Sequence, residues 1–449
     1  MNVGNSHVVL FFVLLALLFA DCERDATTRS DDAFEVALDW NEFLLELDRF
    51  SEGYRPPVSA RMFAYCGIAA WESILPAYPE AISCSTSWKN LQLPVWKGTQ
   101  DFVPAAALNA AYAGIARLYY PHAPIWLKNR REQLAASAHN ALLAQYPAEA
   151  VLASQSYGRA VAEAVFQWSA TDAVGHQAFL YNYDRNFQLP QIKGQWYVSE
   201  QDVMPPLLPY WGRARTFLSA VSDTEFRSPI EFSEAPNAPF FAQAMEVYVL
   251  SNPIKEENRW IAEFWSDDFP GVTFSAASRW ISITNQALDK ARPDLLHALE
   301  TWLRVGWALN DVIVNVWHAK YTFRLERPYT YIQRNINSKW EPLHHTPPFP
   351  AYPSGHAGLA AAATSVLTSM LGENFVLTDR SHQGRKEFLG KPRSYQSFEE
   401  MAAENAFSRI LMGVHFRMDC EEGLRIGGLV GKKTSSHQLY VESKYAGRH

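Results

Sequence analysis

Apolar residues recur at helical spacing along most of this chain, and that pattern narrows its architecture more than any motif. Phe34, Ala37, Leu38, Trp40, Phe43, Leu44 and Leu47 fall near a period of 3.6 within 31–50, the stripe of a helix with one buried face. The same reading predicts helices over 61–75, 108–119, 124–146 and 154–170, then over 238–251, 257–265, 275–290 and 295–319, and last over 356–371, 397–412 and 418–430. Alternating valine-rich runs are almost absent, so a sheet is not expected. The stretch 175–236 is polar, aromatic and proline-bearing; structureless segments of this length usually carry function, so it is expected to cover something. With 449 residues, 48% of them hydrophobic, the chain can bury two cores. The expected fold is all-α: two packed helical bundles with a long irregular connection. The first spans 23–250 with its covering loops, and the second spans 251–449.

The first 22 residues read as an export signal. Val8 to Ala20 is an apolar run of thirteen residues, too short to span a membrane and suited to a signal h-region. Cys22 follows at once, so a lipid anchor through Cys22 and a simply cleaved secretory signal both fit, the anchor being slightly preferred. Either way the protein is expected outside the cytoplasm, in the periplasm or secreted. An oxidising compartment would let Cys66 and Cys84 pair, while two buried thiols are the plainer alternative. A net charge of −7 lacks the basic footprint of a nucleic-acid binder. No Cys-x-x-Cys or His-Glu-x-x-His pattern occurs, so a zinc site has little support. Monomer and dimer fit equally, and the tail beyond Gly431 is expected to lie on the surface.

Chemistry concentrates in three short segments: Lys320-x6-Arg327-Pro328, Pro353-Ser354-Gly355-His356, and Ser408-Arg409-x5-His415-x3-Asp419. Lys320 and Arg327, seven residues apart, are expected on one helix face ending at Pro328. Ser354 fits an N-cap, and the free amides beyond it, Gly355 among them, favour an anion. His356 then sits in the first turn, aimed at whatever the amides bind. Gly413 breaks a helix after Arg409, and Asp419 follows His415 by one turn, where it can accept the second imidazole proton. Together the segments supply three fixed cations, a hydroxyl and two histidines, an inventory suited to a tetrahedral oxyanion. Cys420, beside Asp419, is expected to pack behind the site. The stretch 333–352 is proline-rich and expected as a loop; its His344 and His345 fit either a shaped entrance to the site or, the preferred reading, a solvent-facing pair.

The order and spacing of these segments resemble the vanadium-dependent haloperoxidases and their relatives, the type 2 phosphatidic-acid phosphatases. Phe349-Pro350-Ala351-Tyr352-Pro353-Ser354-Gly355-His356 looks like the haloperoxidase form, and Trp317 matches the aromatic that borders the halide side. Phe63-Ala64-Tyr65, Pro270-Gly271-Val272-Thr273-Phe274 and Ser278-Arg279-Trp280 extend the likeness over most of the chain, nearest to bacterial members. The resemblance implies orthovanadate, as V5+, as cofactor and hydrogen peroxide and a halide as partners. It implies His415 as the vanadium ligand with Asp419 behind it, and Lys320, Arg327, Arg409, Ser354 and Gly355 around the oxygens. His356 would be the acid–base group, and Trp317 and Phe349 the halide lining. Asp267 or Asp268 is expected to orient Arg409. Iodide, oxidised most easily, is the expected halide, ahead of bromide and then chloride. The alternative within the superfamily is an exported acid phosphatase with a phosphohistidine intermediate on His415.

Overall fold

The computed structural model describes residues 32–441 except 89, 100, 199–203, 268, 270 and 388. The expected export signal with Cys22, and Asp268, lie outside the described residues. Helix α1 covers 32–50, and α2 (Pro56–Ile74) starts on a proline pair, favourable where the first amide has no helical partner. The first bundle continues with α3 (Pro104–Tyr119), α4 (Ile125–Leu143) and α5 (Ala148–Ala170). After the irregular connection come α6 (Pro239–Ser251), α7 (Glu256–Phe264), α8 (Ala276–Ala291), α9 (Leu295–Phe323) and α10 (Pro328–Asn335). The second bundle is completed by α11 (Gly355–Leu371), α12 (Phe398–Leu411) and α13 (Arg417–Ser435). The all-α expectation holds, and the periodic segments become helices within a few residues of their expected ends.

α9 is the axis of the molecule. It packs on α2 from the first bundle and on α11 and α13 from the second. The largest apolar cluster accordingly runs from Ala33 to Leu439 without a break between the halves, so the bundles share a main core instead of holding one each. Among the described residues no helix is long and apolar enough to cross a membrane.

Close approach of α11 to α13 rests on a glycine stripe. Added Cβ atoms would lie 2.5 Å from the Ser354 carbonyl oxygen at Gly423, 2.3 Å from that of Gly358 at Gly427, and 2.5 Å from the Ser365 Cβ at Gly431. These distances are far inside van der Waals contact, so only hydrogen fits on this face. The stripe brings the first turn of α11 against the first turn of α13, where the second and third motifs lie.

The connection between α5 and α6 holds only two short 3-10 turns among its described residues, yet it is pinned along α9. The buried carboxylate of Asp311 accepts the backbone N–H groups of Phe217, Leu218 and Ser219. Asn310 and Asn315 donate to the Arg215 and Ser219 carbonyls. Polar side chains on an otherwise apolar helix thus satisfy backbone that has no ladder of its own.

Three expectations are corrected, and one left open is decided. Residues 328–335 form α10, because Pro328 opens a helix as readily as it ends one. A two-stranded antiparallel hairpin, β1 (Leu377–Asp379) with β2 (Arg393–Tyr395), is present; it is too short to leave an alternating signal. Of the two readings open for Cys66 and Cys84, separate buried thiols are what the structure has. Of the tail beyond Gly431, the described residues 432–441 keep only partly to the surface: Thr434 and Leu439 are buried and Tyr440 bridges to Ala81.

The stripe makes a two-sided test. Gly427→Ala is expected to destabilise by about 1–3 kcal/mol through overpacking. Gly428→Ala, where nothing lies within 4 Å, is expected to gain up to about 1 kcal/mol from helix propensity. Urea midpoints at constant m would show the opposite signs.

Candidate functional site

The three motifs converge at the meeting of α9, α11, α12 and α13, though two of them arrive differently from expectation. α9 ends at Phe323, with Arg324 in the left-handed region (φ 53°) donating its N–H to the Lys320 carbonyl. Arg327 therefore does not share the helix face of Lys320; it is the extended N-cap of α10, turned back toward the same point. His415 likewise precedes α13. Asp419, in the first turn, accepts both the His415 Nδ1–H (3.0 Å) and the Phe416 amide (3.0 Å) on one carboxylate oxygen. The pair is a capping arrangement, set up by Gly413 at φ +84°, and not two side chains on one helix face. Ser354 behaves as expected: it caps α11 by accepting from Ala357, and its own N–H donates to the Asp419 carbonyl at 2.8 Å.

Lys320, Arg327 and Arg409 are all buried, between 0 and 3% exposed. Backbone carbonyls hold them. Lys320 donates to Pro350 (2.9 Å) and Ala351 (2.8 Å), Arg327 to Phe349 (3.0 Å) and Val414 (2.8 Å), and Arg409 to Trp265. Phe349 lies between two of these cations, 5.0 Å from the Lys320 nitrogen and 4.9 Å from the Arg327 guanidinium, with its ring 4.9 Å from Trp317.

A cavity of about 220 Å³ opens beside this cluster. Gly355, His356, Arg409 and His415 line it with Trp317 and Phe349. Lys320, Arg327, Ser354 and Asp419 stand immediately behind that wall. With its Nδ1 proton given to Asp419, His415 has its lone pair on Nε2, 3.2 Å from Arg327 Nη1. The Nε2 of His356 is buried and has no hydrogen-bond partner among the described residues.

The titration of the site follows from burial among like charges. Burial, then Arg409, push His356 down to about 3. Burial, then Arg327 and Lys320, hold His415 well below its ordinary range. Burial and Arg327 lower Lys320, and burial brings Arg409 down to about 10. Burial lifts Asp419 to about 7 against the pull of the Phe416 amide, Lys320 and Arg327. Lys320 and Arg409 are thus penalised, and among the described residues Asp419 is the carboxylate in hydrogen-bond contact with the histidine at the centre of the cluster. A tetrahedral oxyanion would supply the missing countercharge, so the residues fit such a group.

Asp267 does not orient Arg409 through a hydrogen bond. It faces Arg279 at 3.3 Å, which also grips Asp379 at 2.7 Å and touches His382. This buried group backs the cavity beside Asp267. Sequence reading missed Asp379 and His382, which sit by the small hairpin with no periodic signal. Arg279 alone entered the sequence reading, within the Ser278-Arg279-Trp280 string, and without a role. His344 and His345 both line the cavity, His344 half-buried with its ring 5.0 Å from Phe269 and His345 on the exposed side. Cys420 packs behind Ser354, and burial pushes its thiol up.

The family model described as the VCPO second helical-bundle domain matches residues 301–443. Among solved structures, this chain is similar to one described as the first bacterial vanadium-dependent iodoperoxidase, at 26% identity and a TM-score of 0.75, covering 93% of this chain and 97% of that one. It is also similar in fold to holo and apo bacterial vanadium-dependent chloroperoxidase structures, at 15% and 14% identity. Their TM-scores are 0.65 and 0.64, with 86% and 87% of this chain covered and 93% and 98% of those. No curated protein matches.

Inorganic phosphate serves as a first probe of the cluster. At about 100 times its Kd it should stabilise the protein by about 2.7 kcal/mol, seen as a raised thermal midpoint. Arg409→Met should lose that gain.

Proposed function

We propose, from the premise that this chain belongs with the bacterial vanadium-dependent haloperoxidases, that it oxidises halide with hydrogen peroxide to hypohalous acid, iodide foremost. The observation that carries the reading is the cluster of three buried cations and two neutral histidines at one small cavity lined by Trp317 and Phe349. Lys320, Arg327 and Arg409 would hold the oxygens of vanadate, with the Ser354 hydroxyl and the Gly355 amide, and His415 Nε2 would be its protein ligand. Vanadate, when bound, supplies a Lewis-acid centre that makes peroxide electrophilic toward halide without a change of metal oxidation state.

The remaining work falls to this chain's own side chains. Asp419 keeps the proton on His415 Nδ1, so Nε2 stays available as a donor to metal. Two guanidiniums offer planar forks, and Lys320 a compact charge, to oxygens whose charge grows in the transition state. His356 Nε2 is the free acid–base atom at the cavity, able to take a proton from peroxide and return one to the departing oxygen. Burial first and then the uncompensated cations hold its pKa low, and an anion beside it raises that value. Trp317 and Phe349 keep bulk water from the cluster and offer a polarisable wall to halide. Iodide is favoured because it is the easiest halide to oxidise and Phe349 adds no polar group to the wall.

The first assay offers vanadate-loaded protein hydrogen peroxide with each halide, and vanadate-free protein a phosphate monoester. Vanadate-dependent triiodide is expected. Phosphate release with no halide oxidation would make the cluster a phosphatase. His356→Ala should keep its vanadium and lose turnover by about 10²- to 10⁴-fold. His415→Ala should lose the vanadium itself, checked by metal analysis.

A further inference from the structure

We propose that His344 delivers the proton that each turnover draws from solvent, carrying it from the mouth of the anion cavity to His356. The inference rests on the haloperoxidase reading above. In that reaction a halide electron pair forms the X–O bond, the O–O bond of peroxide breaks, and the departing oxygen leaves as hydroxide. His356 can move protons within the site. Yet halide and H2O2 give HOX and water only when one further proton arrives to turn that hydroxide into water. It must enter a cavity walled by Trp317 and Phe349, where bulk water is not at hand.

Three other ionisable groups on the cavity wall are committed elsewhere. Arg409, at about 10, keeps its proton at neutral pH, Asp267 faces Arg279 at 3.3 Å, and His415 gives its Nδ1 proton to Asp419. His344 differs in place and in contacts. It is half-buried at the cavity wall, with His345 beside it on the exposed side. Its Nε2 is buried and has no hydrogen-bond partner among the described residues, so the ring straddles the boundary between interior and solvent. Its position is fixed. Leu343 donates its N–H to the Met412 carbonyl at 3.0 Å, and Trp340 and Pro342 pack closely on Gly413. His344 is thereby tied to the end of α12, the helix that carries Arg409.

The charges around His344 make it answer to the state of the site. Burial and then Arg409 lower its pKa, Glu263 on α7 raises it, and Arg259 and His345 lower it. An oxyanion that answers the Arg409 charge removes the second of these causes, so His344 holds a proton more readily once the site is filled. An imidazole, with an ordinary pKa of ~6.5, both takes a proton from water and gives it up near neutral pH. The proton then crosses to His356 through a peroxide or water molecule held between them. His356 passes it to the departing oxygen, and His344 recharges from solvent, so no further reagent is consumed.

The test compares wild type with His344→Gln, which can still hydrogen-bond but cannot titrate. Both should hold the same vanadium by metal analysis. With saturating peroxide and iodide in dilute buffer, the variant should form triiodide about tenfold more slowly. That is short of the roughly 10²- to 10⁴-fold of a group in direct contact, because water still carries some protons. Added imidazole should restore the variant's rate with saturation and leave wild type unchanged, which a merely structural role would not produce. A second readout needs no turnover. In protein isotope-labelled at its histidines, the resonance that His344→Gln removes should titrate in wild type with a midpoint that rises when orthovanadate is added. A variant as fast as wild type in dilute buffer, a loss that imidazole does not restore, or a midpoint that orthovanadate leaves in place would each overturn the inference alone. Wild type that forms no triiodide would end the haloperoxidase reading and this inference together.

Discussion

Three cations taken out of water at one point set the terms for everything around them. Lys320, Arg327 and Arg409 are each almost wholly buried, and a buried charge costs several kcal/mol unless its field is answered. Part of the answer is rigid backbone: the carbonyls of Pro350, Ala351, Phe349, Val414 and Trp265 all point at them. Carbonyl dipoles do not neutralise three charges. The remainder of the field faces the cavity, where it favours an anion of matching size.

Such a cluster holds only on a frame that cannot relax. A looser pair of helices would let water reach the guanidiniums and disperse the field. The glycine stripe at 423, 427 and 431 leaves no slack between α11 and α13, because backbone oxygens already occupy the space a methyl group would need. The Ser354 N–H to Asp419 carbonyl bond then locks the start of α11 to the start of α13. His356 and His415 are fixed relative to each other by backbone, not by side-chain packing alone.

Helical spacing carried most of the fold into view, since a 3.6-residue stripe such as that of 34–47 survives any tertiary context. The ends of elements were less visible. Pro328 was read as ending the helix of Lys320, whereas Arg324 in the left-handed region ends it and the proline starts another. In both segments concerned the residue identities pointed to the right cluster by the wrong local geometry. Arg327 reaches it from an N-cap and His415 from the residue before one. The Arg279–Asp379–His382 group was invisible because its members lie about a hundred residues apart and meet only through packing. His344 reads as a loop histidine, and the Phe269 ring it packs against lies about 75 residues away in sequence.

The same field that favours an anion also governs the acid–base group. His356 is pushed to about 3 by burial and by Arg409, with Lys320 and Arg327 adding to the effect. Without a countercharge it is therefore a neutral imidazole with a buried, unpartnered nitrogen and little power to hold a proton. An oxyanion at the cluster cancels the repulsion that lowers it, so its basicity rises when the site is filled. Ligand binding and proton-transfer competence are then two consequences of one electrostatic fact. The covering connection belongs to this logic: Asp311 fixes it through three amides, and it sets Leu207 and Tyr183 over the cavity. A wet cavity would screen the cations from His356 and uncouple the two effects, so water exclusion by an irregular but firmly pinned segment makes the histidine responsive to what the cations hold.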